Sequence, residues 1–232
     1  MRNIEVFYHL YIPDTENAKM WVWWVDEQLS AIKQSNLHEH AKINIAITMP
    51  IFRDNLYSDV KSYIALKYPF ANILNVRDTT MENIYEGHTL SYLYDACMDR
   101  DIDVLYFHSK GSANFNMYSF NWKQVLNHFC ITKWKECVER LEHCDVVGVS
   151  DPSIKNGRFK IDSFTSGNFW WSKSEHIRKL KHPMNISEYA RGMTSRYTYE
   201  HWVLGNTGTV DYIFDLPIDL ENAFYFLEGI KD

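Results

Sequence analysis

Five short apolar runs alternate with stretches of helical periodicity along most of this chain, and that alternation is what most limits the folds open to it. The runs are "IEVFYHLYI", "KINIAITM", "ANILNVR", "DVLYFH" and "DVVGVS". Each is rich in β-branched and aromatic residues and too short for a core helix, as expected of buried strands. Between the first two, "NAKMWVWWVDEQLSAIKQS" places Trp21, Trp24, Val25, Gln28, Leu29 and Ile32 at helical spacing, which makes a β-α-β unit. Helices are expected over about 55–67, over "TLSYLYDACMD", over 120–143 and over the tail "IDLENAFYFLEGIKD". Strands that alternate with helices and lack polar alternation of their own imply a mainly parallel sheet covered on both faces. The expected fold class is α/β, Rossmann-like, in a single domain over 1–232. The polar stretch with "KNGR" between residues 152 and 164 suits a hairpin or a loop.

Charge and cysteine content narrow the function classes. A net charge of -6 disfavours the broad basic face that duplex nucleic acid requires, so no nucleic-acid partner is expected. Cys97, Cys130, Cys137 and Cys144 form no CxxC or zinc-like grouping and suit free thiols in a reducing compartment. No apolar run reaches the length of a membrane span. A cytoplasmic protein, or a peripheral guest at a membrane, is the expectation.

Ligands of open α/β sheets bind beyond the carboxyl ends of the strands. The run "DVLYFHSKGS" delivers His108, Ser109, Lys110 and Gly111 to such a tip. A lysine point charge beside a glycine backbone able to turn its amides outward suits a phosphate or diphosphate; a strand ending in a solvated loop is the plain alternative. His9, Glu86 and Thr89 face the same expected crevice, as capping or core-satisfying groups if not as ligands. Asp78 follows the strand "ANILNVR". Asp101 and Asp103 have the spacing of an Asp-x-Asp motif but stand at the start of their strand, the wrong end of the sheet. No GxGxxG or GxxxxGK[ST] element is present, which argues against dehydrogenases and P-loop NTPases.

In order, "FYHLY", "DEQLSAIKQSNL", "YEGHTLSYLYD", "LYFHSKG", "NWKQVLNHFCITKWKECVERL", "DVVGVSD", "SGNFWWSKSEHIRKL" and "YEHWVLG" resemble a group of GT-A-type glycosyltransferase-like proteins of bacteria and large viruses. The resemblance spans about residues 4 to 206. It implies a nucleotide-sugar donor bound by about 1–112, a carbohydrate or glycolipid acceptor bound by about 113–232, and a place in polysaccharide biosynthesis. The sequence departs from the family in having His108-Ser109-Lys110 where many GT-A enzymes carry a metal-binding Asp-x-Asp. Lys110 with His108 can neutralise the leaving diphosphate in place of the ion. A divalent Mn or Mg ion held by Asp78 or His108 stays open. On the acceptor side, Ser166, Gly167 and Asn168 precede Trp170 and Trp171, an aromatic pair suited to a sugar platform or to the core. Arg191 and Arg196 flank the loop before Glu200, the acidic residue whose position resembles that of the family's acceptor base; a solvated charge at a helix N-terminus is its plain alternative. A non-catalytic carbohydrate-binding protein on a degenerate transferase fold, or another nucleotide-dependent transferase, are the competing functions.

Overall fold

The computed structural model describes residues 2–49, 53–74, 86–109, 112, 116–149, 165–188, 199–205 and 208–214. Seven strands form one sheet: β1 (Asn3–Tyr11), β2 (Ala41–Thr48), β3 (Ala71–Leu74), β4 (Ile102–His108), β5 (Val146–Val149), β6 (Trp170–Lys173) and β7 (Val210–Phe214). Their spatial order is β3-β2-β1-β4-β6-β5-β7. The strands pair in parallel except β6, which runs antiparallel to both β4 and β5. The helices are α1 (Trp21–Gln34), α2 (Asp54–Lys67), α3 (Gly87–Asp99), α4 (Met117–Leu126), α5 (Trp134–Arg140) and α6 (Ser174–Ile177). The α/β expectation holds: this is a mostly parallel sheet with helices on both faces. The expected final helix and the "KNGR" hairpin lie outside the described residues.

Burial explains why the central strands read as continuous apolar runs. Every residue of β4 is buried, because α3 covers one face of the sheet and α1 and α4 the other. Val104 and Tyr106 pack with Phe7 of β1, with Leu90, Leu93 and Cys97 of α3, and with Trp202. Leu105 and Phe107 pack with Tyr8, with Val25 and Leu29 of α1, and with Val125 of α4. A buried parallel strand therefore has no polar face to reveal its period. In α1 the expected inner positions Trp24, Val25, Gln28, Leu29 and Ile32 are all buried; Trp21 is partly buried and meets Tyr63 edge-on at 5.2 Å.

The helical stretch expected over 120–143 is interrupted. Between α4 and α5, residues Asn127–Thr132 widen into a π-helical turn, in which the Lys133 amide donates to the carbonyl of His128 at 3.0 Å. The widened turn leaves the Cys130 carbonyl able to accept the Trp171 indole N–H at 2.8 Å. Side-chain demand from β6 thus replaces a regular turn, a local trade that helical periodicity does not encode. The four cysteines are free and buried, and burial pushes the Cys97 and Cys130 thiols up to about 12.

Near the carboxyl end of β5, Gly148 meets the stretch that leads into β6. A Cβ there would lie 2.5 Å from Thr165 Cγ2 and 2.9 Å from its Cβ. Because Thr165 is itself buried and β-branched, Gly148→Ala is expected to destabilise the fold by about 1–3 kcal/mol. Urea denaturation, with an unchanged slope and a lower midpoint, is the check.

Candidate functional site

Strand direction puts the sequence-predicted residues together. After β3 the chain returns to place β4 on the other side of β1, so the β1 and β4 tips form the switch point of the sheet, the usual ligand crevice of such folds. The tips are stitched by Ser109. Its amide donates to the His9 carbonyl at 3.0 Å, its hydroxyl accepts from the Tyr11 amide at 2.9 Å, and Gln28 Nε2 donates to the neighbouring His108 carbonyl at 3.0 Å. Asp103, by contrast, lies at the opposite end of β4 and pairs with Arg2 at 3.2 Å, while Asp101 pairs with Arg178 at 2.6 Å. Both have the structural role that their place at the strand start implies.

The antiparallel β6 brings the acceptor-side motif to the same end. Trp170 pairs with Tyr106 and Lys173 with Asp103, so the residues just before β6 must lie beyond the carboxyl end of β4. Gly167 and Asn168 both take left-handed backbone, with φ of 72° and 55°. That turn aims the Gly167 carbonyl at His108 Nε2, 2.9 Å away; the nitrogen donates, which fixes the ring proton there. His108 Nδ1 faces Glu86 Oε1 at 3.6 Å. The Asn168 amide donates to Glu86 Oε2, and Asn168 Oδ1 accepts the Trp170 indole N–H at 2.8 Å. His108, Glu86 and Asn168 are thus one buried network joining β4, the start of α3 and the loop before β6.

Two expectations change here. Trp170 and Trp171 are both 0% exposed. Trp170 stacks on Tyr106 at 5.2 Å on the α3 face, and Trp171 is held by Cys130 on the other. Adjacent residues of a strand point to opposite faces, and both faces are covered, so neither indole offers an open ring to a sugar. His9 is likewise clamped, its Nδ1 2.7 Å from the Thr89 hydroxyl and its Nε2 3.2 Å from that of Thr48. Burial, reinforced by His88, lowers its pKa to about 3, so the ring is neutral. Thr89 and His9 tie α3 to β1 and β2.

Glu200 lies buried in the turn that leads into Trp202–Leu204, not solvated at a helix end. Tyr199 and Trp202, on either side of it, pack into the cluster around Tyr106 and Trp170. Tyr106 is the functional candidate that the sequence reasoning passed over. It stands two residues before His108 and so on the same face, a relation visible in "LYFH". Burial first, then the Glu86 and Glu200 carboxylates, push its phenol well above the usual range. Asp78, Lys110, Gly111, Arg191 and Arg196 lie outside the described residues, and of Ser166 only the backbone, which opens the turn, is described. Among the described residues no group of three or more His, Cys, Asp or Glu side chains could hold a metal ion, and no helix is long and apolar enough to cross a membrane.

A mainly parallel α/β domain with a polar network at its switch point is the class that fold and site define. Within it, the chain belongs to the family described as a domain of unknown function (DUF8361), whose model matches residues 7–209. No curated protein matches the sequence. Among solved structures it is similar to a proposed nucleotide-diphospho-sugar transferase from Desulfovibrio desulfuricans G20, at 11% identity and a TM-score of 0.48, covering 100% of this chain and 90% of that one. It is also similar to a 4-diphosphocytidyl-2C-methyl-D-erythritol synthase, at 10% identity and a TM-score of 0.41, covering 100% of this chain and 99% of that one.

The His9 clamp has a pH signature. Its folded pKa lies below the unfolded value, so the unfolded chain binds the extra proton and stability falls as pH drops below about 6.5. The slope from this group approaches about 1.4 kcal/mol per pH unit. Urea unfolding of wild type and His9→Gln at pH 7 and pH 5.5 should show a loss larger in the wild type by about 1 kcal/mol.

Proposed function

We propose that the protein is a glycosyltransferase that moves a sugar from a nucleotide-sugar donor to a carbohydrate or lipid-linked acceptor with inversion. The observation that carries this reading is the burial of Glu200 between Tyr199 and Trp202, which pack into the cluster on the α3 face of the sheet, where the order of motifs resembling GT-A proteins puts the acceptor base. The switch point between β1 and β4 supports a donor site beside it.

His108 holds the Gly167 carbonyl, so it shapes the loop rather than meeting the diphosphate. Charge neutralisation of the leaving group then falls to Lys110, next in sequence after Ser109, with a divalent ion through Asp78 as the alternative. Glu200 takes the proton of the acceptor hydroxyl as its oxygen attacks the anomeric carbon from the side opposite the diphosphate. The new carbon–oxygen bond forms as the old one breaks, and the electron pair leaves with the nucleoside diphosphate.

A panel of nucleotide sugars, with and without manganese, tests the donor site: the true donor at 100 times its Kd stabilises the fold by about 2.7 kcal/mol. Lys110→Ala should weaken that binding while its own stability stays within about 0.5 kcal/mol of wild type. Activity that vanishes with a chelator and returns with metal would transfer the clamp's role to an ion. With donor and acceptor in hand, Glu200→Gln should lose on the order of 10²- to 10⁴-fold in turnover at unchanged donor affinity. Near-normal turnover would remove Glu200 as the base; sugar binding with neither nucleotide binding nor transfer would favour a carbohydrate-binding protein.

A further inference from the structure

A second buried polar group lies on the opposite face of the sheet, between α1 and α4. Lys123 is 1% exposed, and its ammonium stands 2.5 Å from Glu27 Oε2 and 4.2 Å from the centre of the Trp23 ring. Glu27 Oε1 accepts from the Gln124 side-chain amide and, at 3.5 Å, from Asn127 Nδ2. One carboxylate on α1 therefore gathers three positions at the end of α4 and the start of the π-helical turn. Burial opposes both charges, raising Glu27 and lowering Lys123, and apolar residues of similar volume in place of such a pair often keep or increase stability. What they do not replace is direction. Charge-assisted contacts to three positions set a helix in rotation and along its axis, which non-directional apolar contact does not.

Both helices reach the candidate site. The next residue of α1, Gln28, donates to the His108 carbonyl at 3.0 Å. On α4, Trp122 and Leu126 close on Gly167: a Cβ there would stand 3.1 Å from Trp122 Nε1 and 2.6 Å from Leu126 Cδ1. The Gly167 carbonyl in turn takes the His108 ring N–H at 2.9 Å. His108 is thus held by its backbone through α1 and by its ring through the turn that α4 supports, and Glu27 with Lys123 joins the two helices. We propose that the Glu27–Lys123 ion pair is a positioning pair, which sets α4 against α1 and so holds the Gly167–Asn168 turn in place for His108 and Glu86. That this turn serves an acceptor rests on the glycosyl-transfer reading; the positioning does not.

The test is NMR of the whole chain, labelled with 15N-histidine or with carbonyl-13C serine and 15N-glycine. Ser166-Gly167 is the one Ser-Gly step in the sequence, so the Gly167 amide gives a single assigned signal, and His108→Gln identifies the ring signal. In Glu27→Leu/Lys123→Met the melting temperature should stay within about 4 °C of wild type. The Gly167 amide signal should nevertheless move, and the His108 Nε2–H signal should be lost to exchange with water. Both signals at their wild-type positions overturn the proposal. Where that variant does not fold, Glu27→Gln decides: a displaced Gly167 amide supports the pair, and an unmoved one overturns it. Asp26→Asn is the control for a weakened α1. The Asp26 carboxylate accepts from Tyr63, Lys67 and Tyr68 instead, so its loss should lower the melting temperature and leave both signals in place; signals that move equally in this variant overturn the proposal. With donor and acceptor in hand, the double variant should lose roughly 10- to 100-fold in kcat/KM for the acceptor at unchanged donor affinity. Displaced signals in a chain that transfers from no nucleotide sugar would sink the transferase reading and leave the positioning standing. Transfer with unmoved signals would sink the positioning alone.

Discussion

A carboxylate placed where water cannot reach it must be satisfied by the protein, and Glu86 is in that position at the start of α3. Its partners come from separate parts of the chain: the Asn168 amide from the loop before β6 and His108 from the tip of β4. Removing any one leaves buried charge or an unmade hydrogen bond, so the carboxylate fixes where the others stand. The N-terminus of α3 also favours the negative charge. The arrangement of the site follows from this one group.

The same logic explains the reversal of β6. A parallel strand beside β4 would deliver its preceding loop to the far end of the sheet, where Asp103 and Arg2 pair. Running antiparallel, β6 carries Gly167 and Asn168 to the tip of β4, and two consecutive left-handed residues turn one carbonyl to His108 and one amide to Glu86. Gly167 tolerates this backbone freely; Asn168 adopts it with its side chain committed at both ends.

How much of this could be read beforehand depends on the signal. The β1-α1-β2 unit and β4 were legible because apolar runs and helical spacing are local, and His9, Glu86, Thr89, His108 and Asn168 were legible as polar residues at strand and helix ends. Strand direction was not, because four residues such as "WWSK" pair equally well either way. The burial of both Trp170 and Trp171 was hidden for the same reason: an aromatic pair signals a platform or a core until both covering layers are known. Tyr106 sat inside a strand buried on both faces, with no alternation to set it apart from Phe107. The regular helix expected over 120–143 failed where a tertiary hydrogen bond outweighed local preference.

The π-helical turn at Asn127–Thr132 amounts to one residue inserted into a helix. Deleting a residue there would restore the regular ladder and leave the turns on either side in register, because a widened turn absorbs the extra residue locally. What the deletion would cost is the Cys130 carbonyl as acceptor for the Trp171 indole. Single-residue gaps between homologous chains are therefore expected within this segment rather than in the regular turns that flank it.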